Sequence, residues 1–172
     1  VAIRGPSCGR CEDGAMDLLW QELSVGLPDI RHVGQVVVRI VGAIVLGAAI
    51  GWEREKARKP AGLRTHILVC LGTAVFIIAC AGAGLSTEGL SRVIQGIVTG
   101  LGFIGAGAIL KSDSERQVRG LTTAAGIWMT AAIGVAIGLG CLGIALLGTV
   151  ATVILLRLGV LGDSGSADER DS

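Results

Sequence analysis

The chain has 172 residues, 51% of them hydrophobic and 17% charged, with 28 glycines and a formal net charge of +1. That length holds one domain, and so apolar a composition excludes a disordered chain and an ordinary water-soluble one. No nucleic-acid partner is expected.

Residues 1–32 read as an outward-facing N-terminal tail. Val1 stands where Met is usual and Met16 is an attractive start, which would leave residues 1–15 as a gene-model artefact. Cys8 and Cys11 form a CxxC pair there, but no second pair and no βαβ context accompany it, so no metal or redox role is expected. No apolar core follows a basic start, so the first span must itself serve as the insertion signal. Leu19, Leu23, Leu27 and Ile30 form an apolar stripe beside Trp20, interrupted by Gly26 and Pro28. The stripe gives either a short interfacial helix or a loose tail.

Five apolar, glycine-rich segments follow: Val33 to Trp52, Ile67 to Leu85, Val93 to Leu110, Leu121 to Leu139 and Cys141 to Leu158. A bilayer core roughly 30 Å thick needs about 20 helical residues to cross it. Nothing alternates as a barrel strand would, so the fold class is all-α, a polytopic transmembrane bundle of about five spans over residues 33–158. The last two segments run together, and Gly138, Gly140 and Gly143 supply the permissive backbone for a hairpin between them. One long tilted helix there would give four spans instead. Cys70, Cys80 and Cys141 read as small packing residues within the spans. Residues 159–172, ending DSGSADERDS, read as a disordered tail.

Charge sets the orientation. Arg54, Lys56, Arg58, Lys59 and Arg64 follow the first span, and Lys111, Arg116 and Arg119 the third, whereas the opposite connections carry only Arg92. The positive-inside rule puts the two basic connections and the C-terminus in the cytoplasm and the N-terminus outside.

Sliding the chain by 58 residues aligns two span–basic connection–span units, with Gly62, Leu63 and Thr65 over Gly120, Leu121 and Thr123. A tandem helical-hairpin repeat plus a fifth helix follows from that match. Gly47 and Gly51, Gly96 and Gly100, and the row Gly126, Thr130, Gly134, Gly138 have the small-xxx-small spacing of close helix contacts, within the chain or between copies in a homo-oligomer. Two GxGxxG strings, from Gly100 and from Gly138, follow no strand and are not dinucleotide sites.

Arg39 is the charged residue well inside a span, and it either snorkels to the headgroups or pairs with Gln95 at similar depth. Spans two and four direct their N-termini at the cytoplasm, where Thr65 and Thr123 are placed to cap them and Arg58, Lys59, Arg64, His66 and Arg119 add positive charge. An anion fits there, as a phosphate, a lipid headgroup or a partner's acidic segment; positive-inside charge alone also accounts for these residues. Glu53 and Glu55, interleaved with Arg54 and Lys56, form a salt-bridged loop more readily than a Mg²⁺ site. His66 has no second ligand beside it, so neither a metal nor a cofactor is expected, and no catalytic constellation is visible.

The strings IGWEREKARKPAGLRTHILVCLGTAVF, GLGFIGAGAIL and RGLTTAAGIWMTAAIGVAIG, in that order, resemble the MgtC/SapB family of bacterial membrane proteins, from about Arg39 to Leu158. The resemblance implies a multi-pass inner-membrane protein associated with adaptation to low magnesium, acid or intracellular stress. The chain matches a short form without the soluble cytoplasmic domain of longer relatives. The pattern carried over covers Arg39, Glu53, Arg54, Glu55, Gly62 to His66, Gln95, Gly102, Phe103, Gly105, Gly107, Gly120 to Thr123 and Trp128. The candidate cytoplasmic anion or partner site, read from helix polarity and charge and not from the resemblance, is Glu53, Arg54, Arg58, Lys59, Arg64, Thr65, His66, Arg119, Thr122 and Thr123. Two readings of function result. One is a regulatory protein that contacts another membrane protein within the lipid bilayer, and the other is a small Mg²⁺ transporter or channel. Mostly Thr, Ser and Gly are available for a polar path across the midplane, which favours regulation.

Overall fold

A computed structural model of the chain describes residues 30–111 and 118–163 as five helices and a short ribbon. The helices are α1 (Ile30–Lys56), α2 (Leu63–Gly82), α3 (Thr87–Gly107), α4 (Leu121–Gly138) and α5 (Leu142–Asp163). Between α3 and α4, β1 (Leu110–Lys111) pairs antiparallel with β2 (Val118–Arg119), Leu110 opposite Arg119. The readings placed on residues 1–29, on Arg116 and on 164–172 lie outside the described residues.

Helices α1 to α4 are each long and apolar enough to cross a bilayer, and α5 carries a shorter apolar stretch, Leu142–Leu158. At 1.5 Å per residue that stretch is about 25 Å long. An outer band of exposed Val41, Val45, Phe76, Phe103, Leu147 and Leu155 would be untenable in water and suits lipid.

Several helices extend past the expected apolar limits. Helix α3 starts at Thr87, six residues before Val93, because the Ser86 hydroxyl caps it by accepting from the Gly89 N–H at 3.2 Å. Glu88 then sits in the positive first turn and pairs with Arg92 one turn on, at 2.9 Å. Helix α4 ends where Gly140 adopts φ +85°. The Cys141 N–H reaches Ala136 O at 2.9 Å and the Gly140 N–H reaches Ile137 O at 2.9 Å, the paired closure of a left-handed helix end. The apolar run therefore folds into a hairpin and not into one long tilted helix.

Helix α2 is the centre of the bundle, with its broadest contacts on α1 and α4. Both neighbours come within backbone distance of it. A Cβ added at Gly51 would lie 2.7 Å from Leu63 Cα, and one at Gly47 would lie 3.0 Å from His66 O. On the other side, a Cβ at Gly134 would overlap Thr73 Oγ1 and Cys70 O, and one at Gly138 would come 2.6 Å from Ile77 Cβ. Ala43, Ile50, Cys70, Ala74, Ile133, Ile137, Ala145 and Leu156 fill the core around these contacts. Gly96, Gly100, Gly102 and Gly107 on α3 have nothing within 4 Å of such a Cβ among the described residues.

The starts of α2 and α4, Leu63 and Leu121, keep the 58-residue offset of the sequence match. The two hairpins nevertheless pack differently, because α1 meets α2 broadly while α3 touches α4 more thinly.

Gly134→Ala is expected to lower the thermal unfolding midpoint in detergent, by an overpacking cost of about 1–3 kcal/mol. Gly102→Ala, which meets open space, is expected to leave it unchanged or raise it, since Ala is the better helix former. Equal midpoints for the two variants would contradict the backbone contact of α2 with α4.

Candidate functional site

Helix α1 closes at the basic connection with the same paired hydrogen bonds as α4. Lys59 N–H reaches Arg54 O and Arg58 N–H reaches Glu55 O, both at 3.0 Å. The left-handed position that glycine fills after α2 and α4 is taken here by Arg58, at φ +51°. A non-glycine residue there costs about 1 kcal/mol or more, so the loop keeps this arginine against backbone preference. Glu55 then reaches over the connection, and its Oε2 accepts from Leu63 N–H at 2.8 Å. A carboxylate is thus held on an otherwise unpaired donor at the positive end of α2.

The expected caps are corrected by this geometry. Gly62 and Gly120 occupy the N-cap positions, so neither cap residue supplies a side-chain hydrogen bond. The helices begin at Leu63 and Leu121, which puts Thr65 and Thr123 in the third helical position, inside the first turn and not at the cap that precedes it. Thr123, 2% exposed, instead accepts from Arg54 Nη2 at 3.2 Å. Arg54 is likewise only 2% exposed, a guanidinium taken into the bundle because α1 lies so close to α2. Glu53 beside it is buried at 7%.

His66, on the face of α2 turned toward α4, is fully buried and its Nδ1 lies 2.7 Å from Thr130 Oγ1. The Thr130 hydroxyl donates to Gly126 O at 2.8 Å, and a hydroxyl has one proton to give. The network therefore assigns the ring proton to Nδ1, which donates to Thr130, and leaves Nε2 with a lone pair. Three buried atoms in this region have no hydrogen-bond partner among the described residues: Glu53 Oε2, Arg54 Nε and His66 Nε2. Two acceptors and one donor left unpaired in one core make this the polar focus of the molecule.

The candidate residues separate into two layers. Glu53, Arg54, His66 and Thr123 are interior; Thr65 is half-buried; Arg58, Lys59, Arg64 and Thr122 are exposed at the rim. Arg119 lies in β2, one residue before the Gly120 N-cap. Thr130 had a signal in the sequence only as a small residue one turn from Gly126; its role as the histidine's acceptor comes from the α2–α4 approach. Among the described residues no three His, Cys, Asp or Glu side chains come together as a metal would need.

At the opposite end Arg39 turns from α1 to α4, and its Nη1 donates to Gly138 O at 2.9 Å. A cation on the last carbonyls of a helix is favourably placed against its dipole. Gln95 is exposed on α3, so the described partner of Arg39 is a backbone carbonyl and not that amide.

The profile described as the MgtC family matches residues 40–160. SrpB of Synechococcus elongatus is 41% identical over 129 residues, which cover 69% of this chain and 71% of that protein. YhiD of Escherichia coli (strain K12) is 42% identical over 131 residues, covering 72% of this chain and 60% of YhiD. MgtC of Salmonella typhimurium (strain LT2) is 42% identical over 125 residues, covering 73% of this chain and 51% of MgtC. The chain thus spans about half to three-fifths of the length of YhiD and MgtC. No solved structure matches it.

Thr123→Val removes the acceptor of a buried guanidinium and is expected to destabilise the protein by about 1–3 kcal/mol. Thr122→Val, one residue away on the exposed face, is expected to stay within about 0.5 kcal/mol. Thermal unfolding of both variants in the same detergent compares them directly.

Proposed function

This chain belongs to the MgtC family, and from that premise we propose that it is an inner-membrane regulatory protein acting by contact with another membrane protein. The stress it serves is, on the same proposal, scarcity of magnesium, acid or intracellular growth. That it is a multi-pass membrane protein of the MgtC type follows from the family match and its apolar helices.

The location of the buried polar groups carries the regulatory reading. The ionisable ones, Glu53, Arg54 and His66, gather at the basic end with Thr123, while the core beyond them holds Ala43, Ala74, Ile77, Ile133, Ile137 and Ala145 and, as its polar side chains, Thr73, Thr130, Thr149 and Thr152. Thr130, Thr149 and Thr152 donate their hydroxyls to carbonyls one turn back on their own helices, and Thr73 does the same to Val69 O. The name given to YhiD of Escherichia coli K12 proposes magnesium transport for that protein. A magnesium path needs oxygen ligands or retained waters through the midplane, and this core offers only scattered threonine hydroxyls among hydrocarbon there, with no carboxylate among its described residues.

In the proposed orientation the basic end, with Arg58, Lys59 and Arg64 exposed on it, faces the cytoplasm. The exposed rim then offers a surface to an acidic segment of the partner, and the buried layer holds that rim in place.

Two measurements test the proposal. Purified protein in liposomes loaded with a magnesium-sensitive dye is expected to pass no more Mg²⁺ than protein-free vesicles. Saturable flux that Arg54→Ala abolishes would overturn the regulatory reading. In a cysteine-free background, Glu88→Cys is expected to react with a membrane-impermeant maleimide on intact spheroplasts, and Lys59→Cys only after permeabilisation. The reverse pattern would invert the topology.

A further inference from the structure

Helix α3 presents its polar side away from its own bundle. Val93, Ile97, Leu101 and Ile104 line the groove it forms with α2, and Ile97 and Leu101 pack toward Ile127 and Ala131 of α4. Opposite them, Glu88, Arg92, Gln95, Thr99, Gly102 and Ala106 recur at alternating steps of four and three, and all six are exposed. That spacing draws one stripe along a helix, the seam by which two helices of a left-handed pair meet.

Ile97 is the middle of the 21 residues of α3, so Gln95 and Thr99 each lie about 3 Å along the axis from the centre of the span. The Thr99 hydroxyl donates to Gln95 O at 2.9 Å, within its own helix. The Gln95 side-chain amide is exposed beside it, with two N–H donors and a carbonyl to satisfy. Hydrocarbon offers it no partner, so an amide left against lipid at that depth is costly, and one paired across a helix contact recovers the cost. In the other half of the stripe Gly102, where an added Cβ would meet nothing within 4 Å among the described residues, and Ala106 let a second backbone come close.

We propose that this stripe is the contact between two copies of the chain, related by a two-fold axis along the membrane normal. Copies inserted in the same direction meet at equal depth, so each position on the stripe faces itself. The residues suit that condition. An amide is its own complement, and the two Gln95 side chains exchange N–H to carbonyl hydrogen bonds across the axis. Glu88 and Arg92, ion-paired at 2.9 Å within one copy, put both charges at one end of the stripe, so each copy offers the other a cation for its carboxylate and a carboxylate for its cation. A different protein would need polar groups at matching depths; a second copy carries them by necessity. The contact uses none of the exposed Arg58, Lys59 and Arg64, so it leaves that rim to the regulated partner.

Stepwise photobleaching of the full chain, carrying one fluorophore at its C-terminus and reconstituted in lipid bilayers over a range of protein-to-lipid ratios, tests it. Two bleaching steps are expected, giving way to one as the protein is diluted. Gln95→Leu is expected to raise the ratio at half association about tenfold, the loss of a reciprocal pair of interhelical hydrogen bonds. Gly102→Trp, which its own chain has room for, is expected to give single steps with an unchanged circular dichroism spectrum. In a cysteine-free background, Thr99→Cys is expected to form disulfide-linked dimers under mild oxidant, and Leu147→Cys on the exposed face of α5 is not. Single steps from the parent protein at every ratio would overturn the proposal and give the stripe to a different protein. Three or more steps, association unchanged by both Gln95→Leu and Gly102→Trp, or equal cross-linking through Leu147→Cys would overturn it as well.

Discussion

Everything in this bundle depends on α2 being held at backbone distance from two helices at once. Gly47 and Gly51 of α1 bring that helix against Leu63, His66 and Cys70, while Gly134 and Gly138 of α4 bring the other against Cys70, Thr73, Ala74 and Ile77. In lipid there is little hydrophobic gain from pressing helices together, so dispersion and short interhelical hydrogen bonds must hold them. Both act only at close range. The glycines permit that range, and the polar contacts His66 to Thr130 and Arg54 to Thr123 become reachable because of it.

The same closeness explains why a guanidinium is inside. Arg54 follows Glu53 near the end of a helix that continues past the apolar limit marked by Trp52, so its side chain leaves α1 where α2 and α4 have just begun. Two helix N-termini lie near a positive side chain there, an unfavourable arrangement that a buried neighbouring carboxylate offsets. Glu53, buried beside it, supplies the carboxylate. The exposed ring of Arg58, Lys59 and Arg64 is therefore the outer layer of a site whose inner layer holds a buried carboxylate and a buried guanidinium.

Much of this was legible in the sequence, for reasons that can be stated residue by residue. The five helices came from span length and from the rule that backbone amides in lipid must pair within the segment. The turn at Gly140 was legible because a run of that length must bend where glycines cluster. What was not legible needed a third dimension. Thr65 and Thr123 look like caps in a string of letters, but the caps fall three residues earlier on Gly62 and Gly120, and Thr123 is turned inward. Glu55 reads as one more loop charge until its distance to Leu63 N–H is known. The glycine rows are alike in spacing, yet those of α1 and α4 touch a neighbour and Gly96, Gly100 and Gly102 of α3 do not, since spacing alone carries no direction.

The bond from Arg39 to the Gly138 carbonyl joins residues 99 positions apart, and the chain is made from one end. At a synthesis rate of about 5–20 residues per second, roughly 5 to 20 s separate the appearance of the guanidinium from that of its acceptor. During that interval α1 is the span most in need of water or headgroups at its far end, and its depth in the bilayer is provisional. Arrival of α4 gives Arg39 a carbonyl, and the turn at Gly140 places that carbonyl at the end of a helix where a cation is wanted. Helix α1 is thus seated only once α4 has followed it, and its final position is set by a hairpin that does not yet exist when α1 inserts.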